Sequence, residues 1–205
     1  MRAAGFVLVG GDSSRMGHDK ALLPFRSFSL VESIAAEVMA ATGNVTLVGR
    51  PDRYRHLKLD SVSDLRPGLG PLAGIEAALK SGKDDFNLIV SCDMPGIARA
   101  WLVALLRCAE ETGARCVVSE DIDNNVYPLC AVYRSECLSL VQKALDEKRL
   151  KLSDTVSKLN PFHLRFQGTL SNVNTPEDWR RWQQHGESFS ITGALKLPSP
   201  NAFDA

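Results

Sequence analysis

The chain has 205 residues, of which 44% are hydrophobic and 23% are charged, a balance that supports one ordinary domain with a buried core. Its 24 lysines and arginines match 24 aspartates and glutamates, which excludes the broad basic surface of a non-specific nucleic-acid binder but allows a local cationic pocket. No apolar run approaches the roughly 20 residues that span a bilayer, so we expect neither nucleic acid nor a membrane as a partner. The five cysteines form no CxxC pair, which predicts a reduced, cytoplasmic protein.

The first half of the chain alternates short apolar runs with helical patterns. Three runs predict strands buried on both faces, at 6–9, 45–48 and 86–90. Helical patterns lie between and after them, at 30–41, 71–80 and 99–112, and a further strand is predicted at 116–118. This alternation predicts an α/β fold with a mostly parallel sheet and helices on both faces.

The pattern changes after residue 121. We predict strands at 127–133 and 162–166, a helix at 136–147, and a last helix that begins near Pro176. Beyond about Glu187 the periodic apolar residues end, and Ser, Gly, Pro and Asn become frequent. We therefore expect a single domain over residues 1–186 and a loosely held C-terminal tail over 187–205.

In sheets of this class ligands bind beyond the carboxyl ends of the strands, and three segments are expected to lie there, at 10–20, 64–74 and 93–95. The loop at 10–20 reads GGDSSRMGHDK. Gly10 and Gly11 let backbone N–H groups approach a phosphate closely, and Arg15 and Lys20 bring positive charge. The loop is neither a P-loop nor a GxGxxG fingerprint, which disfavours a dinucleotide-binding oxidoreductase.

Four motifs, in order along the chain, resemble those of the molybdenum cofactor guanylyltransferases. They are LxGGxxxRMGxDKALLP at 8–24, Asp64 followed by GPLxG at 70–74, CDxP at 92–95 and NVNTPE at 172–177. The resemblance covers roughly residues 4–184. It implies a Rossmann-like nucleotidyltransferase fold, Mg²⁺ as cofactor, and transfer of GMP from GTP to molybdopterin-bound molybdenum cofactor with release of pyrophosphate.

The resemblance also implies a role for individual residues. Arg15 and Lys20 would neutralise the phosphates and, with Asp93, carry the catalysis. The nucleotide-binding residues it implies are Leu8, Val9, Gly10, Gly11, Lys20, Asp64, Pro71, Leu72, Gly74 and Asp93. Asn172 and Asn174 resemble residues that handle the second substrate, although a polar turn before the last helix is the alternative.

The residue types themselves fit these roles. Asp93 follows a buried apolar run, so its carboxylate should emerge at the end of a strand, where Mg²⁺ could use it together with substrate phosphates. The alternative for Asp93 is a helix N-cap. The carboxylate of Asp64 suits guanine, whose N1–H and exocyclic amine are donors, but the sequence leaves open whether it contacts base or ribose. Cys92 has no nearby His and is expected to be a small buried residue.

Two other functions stay open at this point. One is a related nucleotidyltransferase that uses CTP or another phosphorylated acceptor, and the other is a nucleotide-binding protein without turnover. The presence of both Lys20 and Asp93 argues against the second. As partners, the resemblance implies GTP and the molybdopterin cofactor, together with proteins that deliver the cofactor and molybdoenzymes that receive it.

Overall fold

The computed structural model describes residues 2–9, 19–82, 84–168 and 170–185. Its strands are β1 (Ala3–Leu8), β2 (Pro24–Phe25), β3 (Phe28–Ser29), β4 (Thr46–Gly49), β5 (Asp60–Ser63), β6 (Phe86–Ser91), β7 (Cys116–Glu120), β8 (Val126–Arg134) and β9 (Phe162–Arg165). Its α-helices are α1 (Leu30–Thr42), α2 (Pro51–Tyr54), α3 (Pro71–Ser81), α4 (Arg99–Thr112), α5 (Leu138–Asp146), α6 (Leu152–Ser157) and α7 (Pro176–His185). The predicted Gly10, Gly11, Arg15 and tail at 187–205 lie outside the described residues.

Seven of the strands form one sheet in the order β5-β4-β1-β6-β8-β7-β9. The pairs β5–β4, β4–β1, β1–β6 and β7–β9 are parallel, whereas β8 is antiparallel to both of its neighbours. Six of these strands therefore run in one direction and β8 runs against them. The prediction of a mostly parallel α/β sheet is confirmed.

Helices cover both faces of the sheet, as predicted. Residues of α1 and α4, such as Ile34 and Leu105, form one core cluster with Val7 of β1. Residues of α3 and α5, such as Ile75, form the other cluster with Phe6 and Leu8. Because consecutive side chains of a strand point to opposite faces, the apolar run of β1 supplies both cores.

The predicted helices and strands are present with small shifts of their ends, and the sequence patterns missed several short elements. The strand β5 reads DSVS and lies at the edge of the sheet, so it carries no buried apolar run to reveal it. The helices α2 and α6 and the β2–β3 hairpin are also too short for a periodic pattern. In the described residues no helix has the length and apolarity needed to cross a membrane.

The helix α1 packs unusually close to the central strand at Gly5. A Cβ atom at this position would lie 2.5 Å from Cγ1 of Val38 and 2.7 Å from the carbonyl oxygen of Asn44. The Asn44 side chain reinforces the approach, because its Oδ1 accepts from the Gly5 N–H at 2.9 Å and its Nδ2 donates to the Ala3 carbonyl at 2.8 Å. A side chain at residue 5 would have to move both α1 and the turn that follows it.

We predict that Gly5→Ala destabilises the fold by about 1–3 kcal/mol, the usual cost of overpacking a tight core. Chemical denaturation followed by tryptophan fluorescence measures this change. Arg107→Ala is the control, since Arg107 is exposed on α4 and a surface change of this kind stays within about 0.5 kcal/mol. A Gly5→Ala protein as stable as the wild type would show that α1 can shift without cost.

Candidate active site

A cavity of about 600 Å³ opens at the carboxyl ends of the parallel strands. It is lined by residues that end β1, β4, β5 and β6 or directly follow them, among them Leu8, Val9, Arg50, Asp64 and Ser91. This is the edge at which open α/β sheets bind ligands. The cavity is therefore the first candidate for a nucleotide.

A polar cluster lies beyond the same strand ends and joins three distant parts of the chain. The Nζ atom of Lys20 donates to Oδ2 of Asp93 at 2.8 Å and to Oδ1 of Asn174 at 3.2 Å. The side chains of Lys20 and Asp93 are 17% and 14% exposed, so the ion pair is largely shielded from water. The structure thus brings together three of the predicted site residues.

Backbone hydrogen bonds fix Asp93 at this place. The N–H of Cys92 donates to the carbonyl of Leu8 at 3.1 Å, and the carbonyl of Asp93 accepts from the N–H of Val173 at 2.8 Å. The helix α4 begins only at Arg99, so Asp93 does not cap it. The carboxylate is therefore available for another role.

Cys92 has the structural role that was expected of it. Its side chain is buried. Burial, together with the neighbouring charge of Asp93, raises the pKa of the Cys92 thiol to about 12. A thiol held neutral in this way is a poor nucleophile, and the chemistry of the site must come from its charged groups.

Asp19 and Tyr54 position the segment that carries Lys20. Oδ1 of Asp19 accepts from the N–H of Ala21 at 3.1 Å and caps the short helical turn Lys20–Leu22. Oδ2 accepts from the buried hydroxyl of Tyr54 at 2.8 Å, and burial with the charge of Asp19 raises the pKa of Tyr54 strongly. The sequence patterns did not single out Tyr54, because only the fold brings α2 to this loop.

Asp64 begins the loop that leads from β5 to α3 along the cavity. Its N–H donates to the carbonyl of Gly49 at 3.1 Å, and its Oδ1 accepts from the N–H of Arg66 at 2.8 Å. Gly68 and Gly70 both have positive φ, +85° and +74°, which explains the glycines of this loop. Asp64 therefore lies at the cavity wall with its backbone N–H bonded to β4 and its carboxylate bonded to the backbone of its own loop.

The other predicted site residues differ in whether they line the cavity, are buried or are exposed. Pro71 and Gly74 line the cavity, as Leu8 and Val9 do. Leu72 is fully buried in the core, so only its backbone could reach a nucleotide. Asn172 is exposed, and its side chain makes no hydrogen bond to the described residues.

Two arginines that the sequence patterns did not select as site residues also line the cavity. Arg50 and Arg53 follow β4, and Arg53 lies 3.6 Å from Oδ2 of Asp19. Their position directly after a predicted strand could have identified them, because the loops that follow the parallel strands all lie at the carboxyl ends of those strands. Arg50, Arg53 and Lys20 bring three cations to this edge, where each of them faces a carboxylate, of Asp52, Asp19 and Asp93 respectively.

The polar cluster has the donors that a hard divalent cation requires. Asp93 and Asn174 each direct a side-chain oxygen at one point, which the ammonium group of Lys20 occupies. Mg²⁺ commonly takes one or two protein oxygens and completes its shell with phosphates and water. The described residues contain no group of three or more His, Cys, Asp or Glu side chains that could hold a metal without such help.

Comparison with known proteins gives consistent relatives. Probable molybdenum cofactor guanylyltransferases of Carboxydothermus hydrogenoformans and Flavobacterium johnsoniae are 33% and 31% identical to the chain over 184 and 178 residues. The alignments cover 85% and 84% of this chain and 92% of each relative. These matches extend over nearly the whole of the relatives.

The fold comparison agrees with the sequence comparison. The crystal structure of molybdopterin-guanine dinucleotide biosynthesis protein A from Archaeoglobus fulgidus superposes with a TM-score of 0.74, covering 90% of this chain and 99% of that protein at 22% identity. The family model described as a MobA-like NTP transferase domain matches residues 5–159. This match spans most of the sheet and its helices, and the chain therefore belongs to the MobA-like NTP transferase family and is a nucleotidyltransferase.

Proposed function

We propose that the protein transfers GMP from GTP to molybdopterin-bound molybdenum cofactor, forming molybdopterin guanine dinucleotide and pyrophosphate. The names of its relatives support this activity. The structural observation that carries the proposal is the contact of the Lys20 ammonium with both Asp93 and Asn174. These side chains combine a cation for phosphates with two oxygens for a metal, beside a cavity large enough for a nucleotide.

The reaction requires charge neutralisation more than proton transfer. An oxygen of the acceptor's terminal phosphate forms a bond to the α-phosphorus of GTP, while the bond from that phosphorus to the β-phosphate oxygen breaks and pyrophosphate leaves. Both reactants are anions, so positioning and positive charge supply most of the catalysis. Lys20 is placed to interact with the triphosphate, and Arg15 of the same loop is proposed to do so as well.

Asp93 and Asn174 would hold Mg²⁺, which when bound offsets the charge on the phosphates. The backbones of Leu8 and Val9, continued by Gly10 and Gly11, are proposed to lie along the nucleotide. Asp64, with Pro71, Gly74 and the Leu72 backbone, would form the part of the site that receives the guanosine.

The second substrate would approach from the side of residues 172–174. Asn172 is exposed, and Asn174 is held by its N–H, which donates to Oδ2 of Asp178 at 3.1 Å. We infer that these two residues contact the molybdopterin cofactor. Proteins that deliver the cofactor or receive the product would meet this edge of the sheet, in the cytoplasm.

A nucleotide panel tests the proposed activity. The protein is incubated with Mg²⁺, cofactor-loaded acceptor and GTP, CTP, ATP or UTP, and dinucleotide and pyrophosphate are measured. We expect product with GTP, because a carboxylate at the base would accept from the two donors of guanine and would face the N3 lone pair of cytosine. Product with CTP alone would assign the protein to a cytidylyl transfer, and nucleotide binding without any product would contradict turnover.

We predict that Asp93→Asn lowers Mg²⁺-dependent turnover by about 100-fold or more, because it removes the charge that would hold the metal while preserving the side chain's shape. Product formation is measured against Mg²⁺ concentration, and circular dichroism checks the fold. Asp123→Asn is the matched control, since Asp123 is exposed in the turn between β7 and β8. Superimposable Mg²⁺ curves for Asp93→Asn and wild type would remove Asp93 from the metal site.

Lys20→Ala should reduce kcat by about 100-fold or more if its ammonium neutralises charge that develops on the phosphates. The same substitution at Lys143, which is exposed on α5, should leave kcat unchanged. Steady-state kinetics with GTP measure both variants. An unaltered kcat in a folded Lys20→Ala protein would mean that the Lys20 ammonium has no role in the reaction.

A further inference from the structure

Arg66 connects the cavity-lining loop to two helices. Its N–H donates to Oδ1 of Asp64 at 2.8 Å, so it contacts the candidate nucleotide-binding carboxylate through the backbone. Its guanidinium extends the other way, where Nε lies 3.0 Å from Oε2 of Glu76 and Nη1 donates to Oδ1 of Asp146 at 2.6 Å. Arg66 therefore holds the loop to α3 and α5 at once.

Glu76 is fully buried in α3, which makes its charge costly without partners. Its Oε1 accepts from Nη2 of Arg66 at 3.4 Å and from Nε2 of Gln142 at 3.2 Å, and the ammonium of Lys80 lies 3.7 Å away. Its Oε2 accepts no hydrogen bond from the described residues. The negative charge on this oxygen is therefore stabilised by the nearby positive charge of the Arg66 guanidinium. The attraction between this buried carboxylate and the guanidinium restricts the Arg66 side chain to one position.

Besides Arg66, the loop between β5 and α3 is held by the N–H of Asp64, which donates to Gly49, and by Leu69, which packs against the core. Within it, Leu69 donates to the carbonyl of Arg66 at 3.2 Å, and the first turn of α3 begins only at Gly70. Leu65 is 51% exposed, so its side chain adds little packing. Neither Arg66 nor Glu76 lines the cavity, whereas Asp64, Pro67, Gly68 and Gly70 do.

We propose that Arg66 and Glu76 are positioning residues for nucleotide binding, which set the Asp64 carboxylate against the bound GTP. The proposal rests on the proposed function, because it takes GTP as the ligand of the cavity. It predicts that loss of the ion pair weakens GTP binding while the reacting groups at Lys20 and Asp93 stay in place. The affinity for GTP should therefore change, and kcat should not.

The first test uses three variants, Arg66→Gln, Glu76→Gln and the double variant. Arg66→Gln leaves the buried Glu76 carboxylate with Lys80 as its nearby cation, and Glu76→Gln leaves Arg66 paired with Asp146. Both single changes remove a close charge partner and should lower thermal stability, whereas the double variant should recover much of that loss. We expect the KM and the equilibrium Kd for GTP to rise about tenfold in all three, with kcat within twofold of wild type. A double variant that recovers stability and also regains wild-type GTP affinity would make the pair merely structural and overturn the proposal.

A second test asks whether the pair acts through Asp64. Asp64→Asn combined with Arg66→Gln should raise the Kd for GTP no more than Asp64→Asn alone, because both changes remove the same contact. Fully multiplicative effects would contradict action through Asp64. Arg134→Gln is the control. Arg134 pairs with Asp85 at 2.7 Å, at the amino end of β6 and so at the opposite end of that strand from the cavity. This change should leave GTP binding unchanged.

GTP binding by the wild-type protein distinguishes failure of the positioning role from failure of the proposed function. A wild-type protein that binds GTP, with variants that bind it equally well, overturns only the positioning role. A wild-type protein that binds no GTP overturns the proposed function together with this inference.

Discussion

The burial of β1 on both faces between two parallel neighbours is the constraint that builds the site. All six residues of this strand are buried, and its register places Leu8 beside Val48 of β4 and Ser91 of β6. Where these strands end, the chain cannot continue inside the core, and its loops must leave at one edge. Lys20, Asp64 and Asp93 lie at this edge because their segments follow β1, β5 and β6. The chemistry of the site is a consequence of strand order.

The ion pair of Lys20 and Asp93 explains how two charges are accommodated at this edge without a ligand. Lys20 and Asp93 compensate each other in a place that is largely shielded from water, where unpaired charges would be costly. In our account a nucleotide with its metal replaces both partners, with phosphates for the lysine and a cation for the carboxylate. Each of the two protein charges then keeps a partner of opposite sign in the bound state. The pair formed by half-buried Arg66 and buried Glu76 is proposed to hold the adjoining loop in the same way, but away from the reaction.

The sequence was most informative where a single segment carried its own signal. The continuous apolar runs at 6–9 and 86–90 predicted the central strands, and glycines and prolines at 64–71 predicted the loop. Their positions at strand ends also predicted that Lys20 and Asp93 would meet. Contacts between distant residues were out of reach, because nothing local indicates that Arg66 pairs with Asp146, 80 positions later. The antiparallel course of β8 also depends on pairing that periodicity does not encode.

We propose that nucleotide and metal bind where the carboxyl ends of the strands bring Lys20, Asp64 and Asp93 together. A crystal structure of the protein with Mg²⁺ and a non-hydrolysable GTP analogue tests this most directly. We expect the guanosine to occupy the cavity beside Asp64, the Lys20 ammonium to contact phosphate oxygens, and the Asp93 carboxylate to bind the metal. A nucleotide bound elsewhere, with the Lys20–Asp93 ion pair still intact and no metal beside it, would contradict the account.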